Sequence, residues 1–148
     1  MAKPPLFFRI LIVEDNIARA NMLKAWLPKD VRPVLVESAG KAIGLLKRDR
    51  GNVYAGIMLD HDLQESTITE ADRYLTGKNV VDSIIQNIPN NVPILVHSVN
   101  VTQGPVMVKR LEKLNYCVTR IPMSELTFEK CSEWLVEVRE LWEEFNEG

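Results

Sequence analysis

Cysteine is scarce in this chain: its 148 residues contain two, Cys117 and Cys131. Two thiols cannot build a disulfide framework, and each falls among apolar residues, so the expectation is a pair of buried, reduced side chains. Glycine is also scarce, at seven residues, and no segment has the spacing of a phosphate loop or a dinucleotide fingerprint. Long hydrophobic runs are missing, since none approaches the ~20 residues of a membrane span. The apolar start is broken by Arg9 and met at once by Glu14 and Asp15, which is wrong for a secretory signal. Nor is there an excess of charge: 18 basic and 20 acidic residues are interspersed and leave a net charge of −2. That balance offers no electrostatic footprint for nucleic acid or an anionic membrane. The expected location is the cytoplasm.

What the chain does have is alternation. Short apolar runs take turns with segments of helical period, the pattern of βα units around a parallel sheet. The runs at Arg9–Val13, Val34–Val36, Tyr54–Leu59, Pro93–His97 and Tyr116–Ile121 read as five strands. Pro33 places the second at a sheet edge, where a missing N–H costs least. Helices are expected over Asn16–Leu27, with Ile17, Ala20, Leu23 and Leu27 on one face, and after Ser38, with Ala42, Ile43, Leu45 and Leu46. Asn79–Ile88 gives another. A fourth has Pro105 in its first turn and carries Val108, Leu111 and Leu114, and the last covers Thr127–Phe145 with Phe128, Cys131, Leu135, Val138, Trp142 and Phe145. Asp62–Lys78 is polar and aperiodic and reads as a long loop. The expected architecture is a three-layer α/β sandwich with a five-stranded parallel sheet, in a single domain over residues 1–148.

Ligands of such sheets bind outside the carboxyl ends of the strands. Glu14 and Asp15 follow the first strand, and Asp60, His61 and Asp62 follow the third. His97 and Ser98 close the fourth, and Arg120 lies near the end of the fifth. Clustered carboxylates repel one another unless a hard cation neutralises them, and oxygen ligands with open positions suit Mg²⁺. A bound cation would also let a carboxylate attack an anionic phosphoryl group, with Asp60 as the nucleophile. Ser98 would then contact the phosphoryl oxygens and Arg120 would pair with them.

RILIVEDN, YAGIMLDHDL, VPILVHS and VTRIP together resemble the receiver domain of two-component response regulators, over about residues 9–145. The resemblance implies a sheet of order 2-1-3-4-5. It implies Mg²⁺ held by Glu14, Asp15, Asp60 and the backbone carbonyl of Asp62, with Asp60 phosphorylated by a histidine kinase or phosphotransfer protein. It implies that Ser98 contacts the phosphoryl group and that a stand-alone receiver passes its signal to a downstream protein partner. The family's lysine normally stands immediately before a proline. Here Ile121 precedes Pro122, and Arg120 lies one place earlier at a spacing of 22 residues from Ser98. Arginine binds phosphate through a wider, planar fork, so that exchange is not conservative.

A second resemblance rests on LDHDL, TGKNVVD and HSVN, which look like an atypical receiver-like family predicted to process cyclic phosphates in RNA repair. It implies that His61, Asp62 and His97 are catalytic or metal-binding. An imidazole can exchange a proton near neutral pH, although a histidine in such a place more often bonds a loop carbonyl. Three readings follow: a phosphoacceptor in a phosphorelay, a metal-dependent phosphoesterase, and a pseudo-receiver that only binds partners. Trp134, Trp142 and Phe145 exceed what one small core needs, which makes a homodimer surface a further expectation.

Overall fold

A computed structural model describes residues 8–63 and 76–147, so most of the expected Asp62–Lys78 loop lies outside the described residues. The elements alternate as β1 (Arg9–Val13), α1 (Ile17–Ala25), β2 (Arg32–Val36), α2 (Ala39–Arg48), β3 (Gly56–Leu59), α3 (Gly77–Asn87), β4 (Ile94–Val96), α4 (Gln103–Glu112), β5 (Val118–Arg120) and α5 (Phe128–Glu147). The five strands are parallel and ordered β2-β1-β3-β4-β5, with Pro33 on the edge strand as expected. Among the described residues no helix is long and apolar enough to cross a membrane.

Helix starts are set by side-chain caps. Asn16 accepts from the amide of Arg19 at 3.0 Å, and Ser38 from that of Lys41 at 3.2 Å. Thr76 and Asn79 form a capping box at the start of α3. Each satisfies amides that a first helical turn leaves unpaired.

Strand side chains alternate between the faces of the sheet, and both faces are covered. Leu11, Val13, Ile57, Leu59, Ile94 and Val96 pack toward α2, α3 and α4. Ile10, Ile12, Met58 and Leu95 pack on the other face with Leu23 of α1 and Cys131, Trp134 and Val138 of α5. Gly56 is the gap on that face, because a Cβ there would come within 2.9 Å of the Trp134 ring.

Several sequence expectations need correction. Ile17 is 68% exposed, because it sits in the first turn of α1 at the rim, above the sheet. Phe128, at the start of α5, and Phe145, in its last turns, are also exposed, and so is Leu114. Leu114 lies beyond the end of α4, where the chain turns left-handed at Asn115 (φ 67°). Cys117 is exposed, and only Cys131 is the buried thiol expected. Trp134 is core, and Trp142 stacks edge-on against Phe8 at 6.1 Å, so neither is surplus to the interior.

Candidate functional site

The strand register builds the site. Val13 pairs with Leu59, and Leu59 with Val96. The ladder continues one residue further, with Asp60 N–H donating to Val13 O at 3.1 Å and His97 N–H to Leu59 O at 3.0 Å. Glu14, Asp60 and His97 therefore stand abreast. Alternation turns all three to the α1/α5 face, continuing the rows that hold Ile12, Met58 and Leu95. Their ligand atoms lie within 4.8 Å of one another, and each residue is buried. His97 Nε2 meets Glu14 Oε1 at 3.2 Å.

The same register decides the fate of Arg120. It pairs with Val96 and so belongs to the opposite face. Its Nη2 donates to the carbonyls of Ser98 at 3.2 Å and Asn100 at 3.4 Å. The next place in the row of Glu14, Asp60 and His97 falls to Ile121, whose N–H donates to Val96 O and whose side chain packs into the core. The lysine that the receiver resemblance implies thus has an aliphatic residue in its place, and Arg120 is committed to backbone.

The cation that does reach the carboxylates is Arg19, which the sequence reading missed. Its Nε lies 3.1 Å from Glu14 Oε1, and its Nη2 lies 3.8 Å from both Asp15 Oδ1 and Asp60 Oδ2. The sequence held no clear signal for it, because Asp15 precedes the N-cap Asn16 and Arg19 alone of the two lies in α1. Burial alone would raise the Glu14 carboxyl, but the hydrogen bond and charge of His97 and the amide of Asn16 outweigh it and hold it down to about 2. Asp60 goes the other way: burial raises it and the Glu14 charge adds to this, against the opposing pull of His97 and Arg19. Two carboxylates and an imidazole, buried together with one carboxyl pushed up, form a donor set that fits a divalent cation.

The remaining expected residues surround this row. Asp15 is buried and faces Arg19. The Asp60 Oδ1 accepts from the His61 amide at 2.8 Å, which fixes the carboxylate. His61 Nδ1 lies 3.0 Å from Asp62 Oδ1, and Asn100 Nδ2 donates to the same oxygen at 3.3 Å. Asp62 is therefore an orienting partner of His61 through its carboxylate. Ser98 is fully buried and its Oγ accepts from the Asn100 amide at 3.1 Å. Gly77 opens α3 hard against this turn, with its N–H donating to His61 O at 2.9 Å.

Residues 9–113 match the model of the cyclic-phosphate processing receiver domain. No curated protein matches the chain. Solved structures share the fold. The signal receiver domain of a LuxO repressor protein from Vibrio parahaemolyticus is 18% identical, with a TM-score of 0.64 over 97% of this chain and 99% of that one. The receiver domain of sensor histidine kinase PA1611 from Pseudomonas aeruginosa, which holds a magnesium ion in its active-site cleft, is 21% identical. Its TM-score is 0.62 over 90% of this chain and 96% of that one. The response regulator domain of Thermotoga maritima CheB is 17% identical, with a TM-score of 0.62 over 90% and 95%.

Proposed function

The chain belongs to the cyclic-phosphate processing receiver domain family, and from that membership we propose that it is a metal-dependent phosphoesterase that opens a cyclic phosphate on a nucleotide. The observation that carries this reading is His97 beside Asp60 and Glu14, with Ile121 where a phosphoacceptor domain would place its lysine. A divalent cation held by Glu14, Asp60 and His97 would polarise the phosphoryl group and shield its charge. Magnesium suits the carboxylates, and the imidazole extends the choice to manganese or zinc.

Arg19 supplies positive charge beside these carboxylates, 34% exposed and so within reach of an entering phosphate. Asp62 holds His61 through Nδ1, which leaves Nε2 as the ring nitrogen able to take a proton from water. In the reaction, the water oxygen bonds to phosphorus and one ring P–O bond breaks. The water proton passes to His61 Nε2, and the departing alkoxide takes a proton from solvent to leave a phosphomonoester. Arg120 and Asn100 keep the loop after β4 in place behind Asp62.

The test is turnover of 2′,3′-cyclic and 3′,5′-cyclic nucleotides followed by phosphorus NMR, with Mg²⁺ or Mn²⁺. Wild type should release a monoester; His61→Ala should lose at least about a hundredfold, the scale of a lost acid–base group, and His97→Ala should lose activity with the cation it would hold. No release from either substrate class rejects the proposal.

A second reading rests on Asp60, which sits at the centre of the row as a phosphoacceptor would. There the chain accepts a phosphoryl group from a histidine kinase or phosphotransfer protein and signals to a downstream partner. Intact mass after incubation with acetyl phosphate and Mg²⁺ tests it, with Asp60→Asn alongside. A phosphoryl gain in wild type alone would establish it.

A further inference from the structure

A cavity of about 200 Å³ opens between α1 and β2, and its wall includes Glu14. Ile17, Ala20 and Asn21 line one side, at steps of three and four residues along α1. Leu35 and Glu37, from β2 and the residue after it, line the other. Ile17 and Leu35 are 68% and 40% exposed, so two branched side chains stand open at the mouth instead of packing into the core. Glu14 belongs both to this cavity and to the carboxylate row. One small ligand can therefore touch the groove and the row together.

The geometry points to this groove as the subsite for the nucleobase of the substrate, an inference that rests on the cyclic-phosphate reading. The size favours one ring system, since the space is below the ~300–1,000 Å³ typical of sites for drug-sized ligands. Ile17, Ala20 and Leu35 make part of the lining apolar, and Asn21 and Glu37 add an amide and a carboxylate. Glu14 and Glu37 disfavour a second phosphate, and the net charge of −2 disfavours a long polyanion, so the occupant is a neutral ring. Glu37 Oε1 is paired with Lys41, which leaves Oε2 to accept a hydrogen bond. A base with an exocyclic amino group supplies that donor. Guanine carries that amino group beside a ring N–H, so guanosine is the ligand of choice for the test. The carboxylate row then reads the phosphate, and the α1–β2 groove reads the base.

The test uses the full chain and two readouts. In the first, amide shifts of ¹⁵N-labelled protein without added metal are followed during titration with guanosine 2′,3′-cyclic phosphate and with 1-O-methylribose 2,3-cyclic phosphate, which has no base. Shifts at residues 17–21 and 35–37 with the guanosine ligand alone are expected. In the second, kcat/KM is compared for the two substrates with Mn²⁺. The base-bearing substrate should be favoured by about tenfold or more, equivalent to ~1.4 kcal/mol, and Leu35→Trp should bring that ratio close to one. Leu35 is partly exposed, so a folded variant is expected, and its amide spectrum checks this. Groove shifts without turnover would keep the subsite and overturn the hydrolytic reading. Turnover with no base preference and no groove shifts would overturn the subsite alone, and absence of both would overturn the two together.

Discussion

Arg120 donates through Nη2 to the carbonyl of Ser98 at 3.2 Å, and its guanidinium fills the space that a side chain at Gly104 would take. A Cβ at Gly104 would lie 2.6 Å from Arg120 Nε. The arginine spans the loop between β4 and α4 and satisfies two of its carbonyls. Hydrogen bonds from a charged donor are worth ~1.5–3 kcal/mol, and partial exposure lowers that here. Arg120→Met is expected to cost about 1–2 kcal/mol in urea unfolding, with Arg120→Lys recovering little because the shorter lysine does not carry its ammonium out to the position of Nη2. Gly104→Ala pushes the same guanidinium aside. The double variant should therefore lose less than the sum of the two single losses.

Gly77 and Gly44 should respond to alanine with opposite signs. A Cβ at Gly77 would lie 2.6 Å from His61 Cα and 2.7 Å from Asp60 O, both backbone atoms that cannot turn away. Gly77→Ala should cost about 1–3 kcal/mol, as overpacking does, and should reduce turnover by displacing His61. Gly44, inside α2, has nothing within 4 Å of its would-be Cβ. Gly44→Ala should stabilise by ~0.5–1 kcal/mol, because the alanine loses less chain entropy in a helix. Urea unfolding of the two variants beside wild type checks both signs.

Most of the architecture was legible because parallel strands covered on both faces are continuous apolar runs, as RILIV and YAGIML are. Strand ends were less so: β5 spans Val118–Arg120 rather than Tyr116–Ile121, although Cys117 O and Ile121 N–H still bond to β4 on either side of it. Glu14, Asp60, His97 and Ser98 could be placed at the rim from their position after each strand. Which of them converge could not, because that depends on register, and a one-residue difference moves a side chain to the other face. Arg120 and Ile121 are that difference. Arg19 was hidden for another reason, since its contacts cross from α1 to β3, and a spacing along one helix does not reveal them.

Cys117 is exposed yet is expected to be a poor nucleophile. Burial of the sulfur and its contact with Glu137 Oε1 at 2.7 Å push the thiol up to about 11, against an ordinary value near 9. The thiolate is the reactive form, so at pH 8 its fraction is about a hundredfold below that of an ordinary thiol. Alkylation by iodoacetamide should be slow and should keep rising with pH up to about 11. Glu137→Gln removes the anion and should speed the reaction at pH 8. An unchanged rate in that variant would mean that burial alone holds the thiol up.

Asp60 and Glu14 should part company when each is neutralised. Asp60 is buried beside Glu14, and burial raises its carboxyl, so its charged form works against the fold at neutral pH. Glu14 is held in its charged form by His97 and the Asn16 amide, and Arg19 lies 3.1 Å away. In buffer stripped of divalent ions at pH 7, Asp60→Asn should raise Tm by several degrees and Glu14→Gln should lower it, since about 1 kcal/mol moves a domain of this size by a few degrees. Mn²⁺ should reverse the first ranking. A cation that binds the native state alone stabilises it by mass action, so wild type should gain several degrees at saturating metal while Asp60→Asn gains little. An Asp60→Asn protein that melts below wild type in chelator would mean that its carboxylate is compensated more fully than an Arg19 distance of 3.8 Å allows.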